Sequence, residues 1–346
     1  MMIRIGIICP SEIAYRRFLP SLQKAGDFEY VGVAFASPEE WFGEKITSVG
    51  KETIGHVLSS EKEKALKFEE SYGGKVFNGY ESLITSDEID AIYLPLPPAL
   101  HFNWAEKALL HGKHVFVEKP STTCLADTQR LVSLAKEKGL ALHEDYMFVF
   151  HNQLEAIDDI VKSGELGDVR LYRIFFGFPR RDANDFRYNK ALGGGALLDA
   201  GGYTMKYATR LLGMSAKLVT ATVNYLPEFE VDMYGSATMV NAKGVVAQLA
   251  FGMDNDYKCD VEIWCSKGTL TSNRVLTAPT DCIPTCVIKK NQAFETRNLP
   301  ADDAFLKSIQ HFQKCVKYDD IRLENYDQIV FQESLVENFK RMSYNN

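Results

Sequence analysis

The sequence predicts an α/β fold in two parts: a doubly wound parallel sheet first, then an α+β part with a large, mostly antiparallel open-faced sheet. Three observations carry this expectation. Through the first third, short apolar runs alternate with amphipathic stretches, as expected of strands buried on both faces between helices. From Val169 onward the hydrophobic period changes to two, the pattern of half-buried antiparallel strands. At 346 residues the chain is too long for one ordinary core and long enough for two. The expected domains are 1-122 and 123-346, with the C-terminal helix packing back on the first.

Ile3–Ile8 opens the chain as a nearly all-apolar strand, followed by a helix over Arg16–Lys24 and a second strand, Tyr30–Ala36. The polar stretch Pro38–Ser60 exceeds the roughly 2–6 residues of a tight βα connection, so it reads as an insertion or lid before a helix at Glu61–Tyr72. Strands follow at Lys75–Phe77, Ala91–Pro95 and His114–Glu118, separated by helices around Tyr80–Thr85 and Asn103–His111. A helix at Leu125–Lys138, a sixth strand at Ala141–Tyr146 and a helix at Gln153–Ser163 come next, the last stopped by Gly164 as a C-cap. The alternating strands are Arg170–Phe176, Lys217–Leu226, Ser236–Asn241, Val245–Met253, Asp260–Cys265, Gly268–Ser272 and Cys286–Lys290. One glycine-led helix, Gly195–Leu212, interrupts them, and helices at Ala301–Lys317 and Asn325–Arg341 close the chain.

Charge and composition exclude several classes of partner. A formal charge of −7 offers no general attraction to nucleic acid or to an anionic membrane surface. No apolar stretch reaches the roughly 20 residues of a spanning helix, and the N-terminus enters a strand directly, without signal-peptide architecture. Seven cysteines, odd in number and without CxxC pairs, read as reduced thiols of a cytoplasmic protein. The histidines are scattered too, so no metal is expected.

Four stretches carry candidate chemistry. The turn after strand one, Gly6-Ile7-Ile8-Cys9-Pro10-Ser11-Glu12-Ile13-Ala14, stands where a dinucleotide fold places GxGxxG, whose glycines allow a tight turn and close approach of backbone N–H groups to pyrophosphate. Cys9, Ser11 and Ala14 occupy the three glycine positions; Ala14 suits close packing, whereas Cys9 and Ser11 are departures. Pro95-Leu96-Pro97-Pro98, with His101, forms a rigid loop at the carboxyl end of strand four, where ligands of such sheets bind. Glu118-Lys119-Pro120 points a cation into the same crevice. Gly193-Gly194-Gly195 leads into a helix on which Asp199 and Tyr203 are four apart and share a face. Taken singly, each also fits an ordinary strand end, solvated lysine or core tyrosine.

Together, in this order, these stretches resemble the Gfo/Idh/MocA oxidoreductases over almost the whole chain. In that family the EKP lysine serves the nicotinamide and substrate, and a GGG-led helix presents an Asp and a His to the substrate. Here Tyr203 stands where most members have histidine. That feature, with Ala14-Tyr15-Arg16-Arg17-Phe18-Leu19-Pro20, Glu144-Asp145-Tyr146-Met147-Phe148, Asp185-Phe186-Arg187-Tyr188 and Glu262-Ile263-Trp264, resembles the sugar-nucleotide C-3 ketoreductases of deoxysugar biosynthesis.

The resemblance implies a Rossmann domain, with hydride delivered from NAD(P)H to a keto group of a nucleotide-linked hexose. Tyr203 would be the proton donor and Lys119 the cation that stabilises the phenolate. Tyr146, Phe148, Arg187, Tyr188 and Asp199 would contact substrate. Cys9, Ser11, Ile13, Ala14, Ser37, Pro95, Leu96, Pro97, His101 and Glu118 would line the cofactor site. NADP(H) is favoured over NAD(H), since strand two ends without an acid before Glu39 and Ser37 suits a 2′-phosphate; Lys62 is a candidate replacement for the arginine absent at Pro38. A homodimer or homotetramer through the open sheet is expected. Two alternatives stay open: a dehydrogenase of a free sugar or polyol, and a non-catalytic ligand sensor, motivated by the altered turn.

Overall fold

The computed structural model describes residues 2–343. It divides into two compact units. Unit 1 comprises Met1–Thr122, Ala126–Asp145 and Ser308–Ile329; unit 2 comprises Thr123–Leu125, Tyr146–Lys307 and Val330–Asn346.

Unit 1 is built on six strands: β1 (Ile3–Ile8), β2 (Phe28–Phe35), β3 (Lys75–Asn78), β4 (Ala91–Leu94), β5 (His114–Glu118) and β6 (Leu142–Asp145). They pair in parallel in the order β3-β2-β1-β4-β5-β6. Strand order reverses between β1 and β4, and a sheet of this kind binds ligands at that point, beyond the carboxyl ends of its strands. Ile5, Ile7, Ile8, Val33, Ile92, Val115 and Val117 are fully buried, which explains their unbroken apolar runs.

The first helix differs from the regular one expected. Ala14–Phe18 forms a π turn, closed by Leu19 N–H on the Ala14 carbonyl, before a short α-helix at Leu19–Leu22. Pro20 has no N–H to return to the preceding turn, so the ladder slips by one residue. The polar stretch after β2, expected as an insertion or a lid, is helical. Pro38–Phe42 is helical, Gly43–Ser48 is a 3₁₀ turn, and one helix runs over Lys51–Tyr72. That helix buries only Glu61, Ala65 and Phe68, and its first half gives no apolar period from which its start could be read.

Unit 2 holds the second sheet. Its strands are β7 (Val169–Gly177), β8 (Lys217–Tyr225), β9 (Asp232–Val240), β10 (Val246–Gly252), β11 (Lys258–Cys265), β12 (Thr269–Ser272), β13 (Thr285–Lys290) and β14 (Ala293–Asn298). The order is β14-β13-β12-β11-β7-β10-β9-β8, antiparallel except for the parallel β7–β10 pair. β14 (AFETRN) was not expected, because an exposed, polar edge strand carries no buried alternation. On the inner face Tyr172, Ile174, Val261, Ile263, Cys286 and Ile288 join the core. On the outer face Trp264 (52%) and Phe294 (69%) stand exposed. Among the described residues no helix is long and apolar enough to cross a membrane, and all seven cysteines are free thiols.

Candidate active site

In unit 1 the predicted cofactor residues gather at the carboxyl edge of the sheet. Cys9 follows β1 with φ 80°, the left-handed conformation that the first glycine of a dinucleotide turn supplies; for a non-glycine residue this costs about 1–3 kcal/mol. Its amide is fixed on the Ala34 carbonyl at 3.0 Å, and burial pushes its thiol up to about 12, so it stays protonated. Ser11 caps the helix that follows: its Oγ accepts from Ala14 N–H at 3.3 Å. Cys9 therefore keeps the left-handed step of a dinucleotide turn, while Ser11 takes up one of the helix-terminal N–H groups. Ile13 lies on the exposed side of that first helical turn.

Ser37, at the end of β2, is engaged as a helix cap. Its Oγ accepts from Glu40 N–H at 3.3 Å and donates to Glu39 Oε2 at 3.1 Å. Glu40 Oε2 in turn accepts from Ser37 N–H and Tyr80 N–H, both at 2.8 Å. Lys62 projects from an exposed position on the Lys51–Tyr72 helix, while neighbouring Lys64 pairs with Glu61 at 2.6 Å.

Between β4 and β5 the loops are locked together by His101. The ring is fully buried, with Nε2 2.7 Å from the Leu96 carbonyl and Nδ1 2.8 Å from that of Pro120. Burial holds its pKa down, at about 4, against the pull of those carbonyls. The loop that it fixes contains Pro95 and Pro97, the latter capping the Pro98–Leu110 helix. Glu118 ends β5 and accepts from Tyr93 Oη at 2.6 Å. Lys119 follows, half-buried, before a cis peptide to Pro120.

In unit 2 the triple glycine is a packing requirement. Gly193 and Gly195 have φ 79° and 119°. A Cβ on Gly195 would stand 2.4 Å from Asp232 Oδ1, and one on Gly202 would stand 2.2 Å from Tyr146 Oη. The chain then forms a π turn over Leu197–Gly201 and an α-helix over Gly202–Leu212. Asp199 lies on the π turn, an element that often marks functional sites. Tyr203 lies on the α-helix, 8% exposed, and its ring meets those of Tyr146, Phe148 and Phe176 at 5.2, 5.6 and 5.1 Å. An aromatic enclosure of this kind excludes water from the Tyr203 phenol.

Arg187 is held between two carboxylates instead of standing open to an anion. Its Nε donates to Asp199 Oδ2 at 2.7 Å, and Nη1 donates to Asp185 Oδ1 at 3.2 Å. Burial works against its charge, but Asp199 and Asp185 outweigh that and hold its pKa above the usual value. Asp199 is thereby an ion-pair partner of Arg187. Tyr188 accepts from Arg181 N–H at 2.7 Å and packs on Phe229. Asp232, which sequence reasoning missed, accepts from Leu197 N–H at 2.7 Å at the start of the π turn. Burial pushes its carboxyl up to about 6, against the pull of that N–H. It lies 35 residues from its partner, and no sequence signal connects the two.

One cluster in unit 1 has the composition of a metal site. His143, His311 and Cys315 bring ligand atoms within 4.8 Å of one another. Both ring nitrogens of His143 already face Ser308 Oγ and Asn325 Oδ1, at 2.9 and 3.3 Å, which leaves that ring no lone pair for an ion.

The fold defines the class of protein, an oxidoreductase: the chain belongs to the Gfo/Idh/MocA family. Residues 4–146 match the model described as the oxidoreductase family's NAD-binding Rossmann fold, and residues 154–271 match the family's C-terminal domain. The chain is similar to a dTDP-3,4-didehydro-2,6-dideoxy-alpha-D-glucose 3-reductase of Actinomadura kijaniata, with 35% identity over 97% of this chain and 94% of the relative. The Streptomyces violaceoruber protein of the same description is 37% identical over 91% of this chain and 85% of its own. Among solved structures, a 3-ketoreductase from Actinomadura kijaniata in complex with NADP and TDP-benzene matches with a TM-score of 0.88. It is 34% identical, covering 99% of this chain and 98% of that one. The family and the fold class expected from the sequence are both confirmed.

Proposed function

We propose that this protein is an NADP(H)-dependent reductase of a keto group, at C-3, of a nucleotide-linked hexose. The observation that carries the reading is the retention of Lys119 after β5 and of Tyr203 on the glycine-led helix, in a chain 31–37% identical to dTDP-sugar 3-reductases. When bound, the nicotinamide supplies the hydride. The protein's own residues do the rest. Tyr203 donates a proton from its phenol to the carbonyl oxygen, and Lys119 stabilises the negative charge left behind. Cys9, Ser11, Ile13 and Ala14 hold the pyrophosphate side of the cofactor, and Ser37 faces its ribose. His101 fixes the loop of Pro95, Leu96 and Pro97 against Glu118-Lys119-Pro120. Tyr146, Phe148, Tyr188 and the Arg187–Asp199 pair shape the sugar side, with Arg187 acting as a neutralised element of the wall.

The test is loss of NADPH absorbance with a dTDP-linked 3-keto sugar. Lys119→Met and Tyr203→Phe should each abolish most of it. Turnover of a free polyol with no reduction of any dTDP-keto sugar would refute the proposal. We further propose a cytoplasmic homodimer or homotetramer through the outer face of the unit 2 sheet, supported by exposed Trp264 and Phe294. Light scattering on Trp264→Glu would report dissociation.

A further inference from the structure

Unit 1 contains a buried polar chain that the reaction above does not use. Asp145 ends β6 and is the register partner of Glu118 on β5. Ser308 Oγ lies 2.6 Å from Asp145 Oδ1 and 2.9 Å from His143 Nε2. On the other side of the ring, His143 Nδ1 lies 3.3 Å from Asn325 Oδ1. The Asn325 amide is oriented by its own donor, since Nδ2 donates to the Leu142 carbonyl at 2.6 Å. Asp145, His143 and Ser308 are each at most 1% exposed, and Asn325 7%.

Counting hydrogens along this chain fixes its proton content. With Asn325 presenting its oxygen, His143 must carry a hydrogen on Nδ1 to bond to it. If Asp145 were a carboxylate, Ser308 would have to donate to it. His143 would then have to donate through Nε2 as well, and would be an imidazolium. If His143 is neutral, Nε2 is an acceptor that takes the Ser308 hydroxyl hydrogen, and the contact to Asp145 needs a hydrogen on the acid. In every arrangement that keeps all three hydrogen bonds, the one to Asn325 included, the chain holds one proton more than a carboxylate with a neutral imidazole.

We infer that this network stores a proton at neutral pH, seated on Asp145, and acts as a positioning element that leaves Glu118, the residue before Lys119 in the chain, as the single ionised carboxylate of the pair. The seat follows from the surroundings. Asp145 Oδ2 is buried with no hydrogen-bond partner among the described residues, a costly position for a carboxylate oxygen. The charged and titratable groups around it are Glu118 on β5, Glu144 next to it on β6, His143 through Ser308, and His311 on the Ala304–Lys317 helix, its ring 5.4 Å from that of His143. Two of these are carboxylates, and neighbouring carboxyls in a buried site do not both ionise. Burial and Glu118 accordingly drive the Asp145 carboxyl well above its ordinary range. Glu118, bonded to Tyr93 Oη at 2.6 Å, is the better-stabilised anion of the two.

The assignment that the stored proton serves the reacting lysine rests on the function proposed above; the proton itself is read on the ligand-free protein without substrate. Infrared difference spectra of the wild type against Asp145→Asn at pH 7 should show a protonated-carboxyl C=O band that the variant lacks. Nitrogen NMR of His143 should show a neutral ring protonated on Nδ1. Absence of the band with a neutral His143 would overturn the stored proton, and absence with an imidazolium would overturn its seat on Asp145. Should Asp145→Asn fail to fold, Ser308→Ala serves instead: it removes the acid's hydrogen-bond partner and should shift the band. A band that does not move belongs to another acid and overturns the assignment.

Discussion

Asp232 anchors the start of the helix that carries Tyr203, and its replacement by asparagine should stabilise the protein in a pH-dependent way. In the folded state burial raises its carboxyl from the usual 3.8 to about 6. The folded form thus binds this proton more tightly than the unfolded chain does. Ionised Asp232 opposes folding above pH 6, and that opposition fades as the pH falls towards 4. About two units, at 1.36 kcal/mol each, give roughly 3 kcal/mol at pH 7, an upper bound because solvent reaches part of the residue. Asparagine keeps an acceptor for Leu197 N–H, 2.7 Å away, and removes the charge. Urea unfolding of wild type and Asp232→Asn from pH 4 to 8 isolates this residue, because other titrations cancel in the difference. The expected difference is up to about 3 kcal/mol in favour of the variant at pH 7, vanishing near pH 4. A difference independent of pH, or a variant weaker at pH 7, would show that the helix amides already satisfy the carboxylate and would refute the reasoning.

Tyr203→Phe removes one hydroxyl from an aromatic enclosure and should lower turnover by roughly 10²–10⁴-fold while NADPH affinity, followed by fluorescence titration, changes less than about twofold. Gly202→Ala places a methyl 2.2 Å from Tyr146 Oη. It should cost about 1–3 kcal/mol in thermal unfolding and lower turnover as well, because Tyr146 packs on Tyr203; an unchanged melting temperature would contradict that packing. Cys9, with its thiol pushed up to about 12, should resist iodoacetamide at pH 8 in the native protein and react readily in urea, as mass mapping of the modified peptide would report.

What the sequence made legible follows from how each feature is encoded. The parallel sheet is written locally, as apolar runs at Ile3–Ile8, Ala91–Leu94 and His114–Glu118, and Lys119 is placed by its adjacency to one of them. Tyr203 is placed in the same way, by the glycines before it. Features that depend on which side chains meet after folding were not legible. Arg187 reads as an anion clamp until Asp185 and Asp199 are seen on either side of its guanidinium, and Asp232 becomes part of the site only through Leu197 N–H. The helix at Lys51–Tyr72 was half-hidden because a helix that buries almost nothing has no period to show. Ser37 marks the limit most clearly. A hydroxyl at the end of β2 can cap a helix or meet a ribose phosphate, and the residue type serves either task. Ser37 Oγ accepts from the Glu40 amide at 3.3 Å, which uses one lone pair, and donates its one hydrogen to Glu39 Oε2 at 3.1 Å. A 2′-phosphate can only accept, so it would compete with Glu39 for that hydrogen and leave the cap in place, and the ribose role proposed for Ser37 requires Glu39 to turn away.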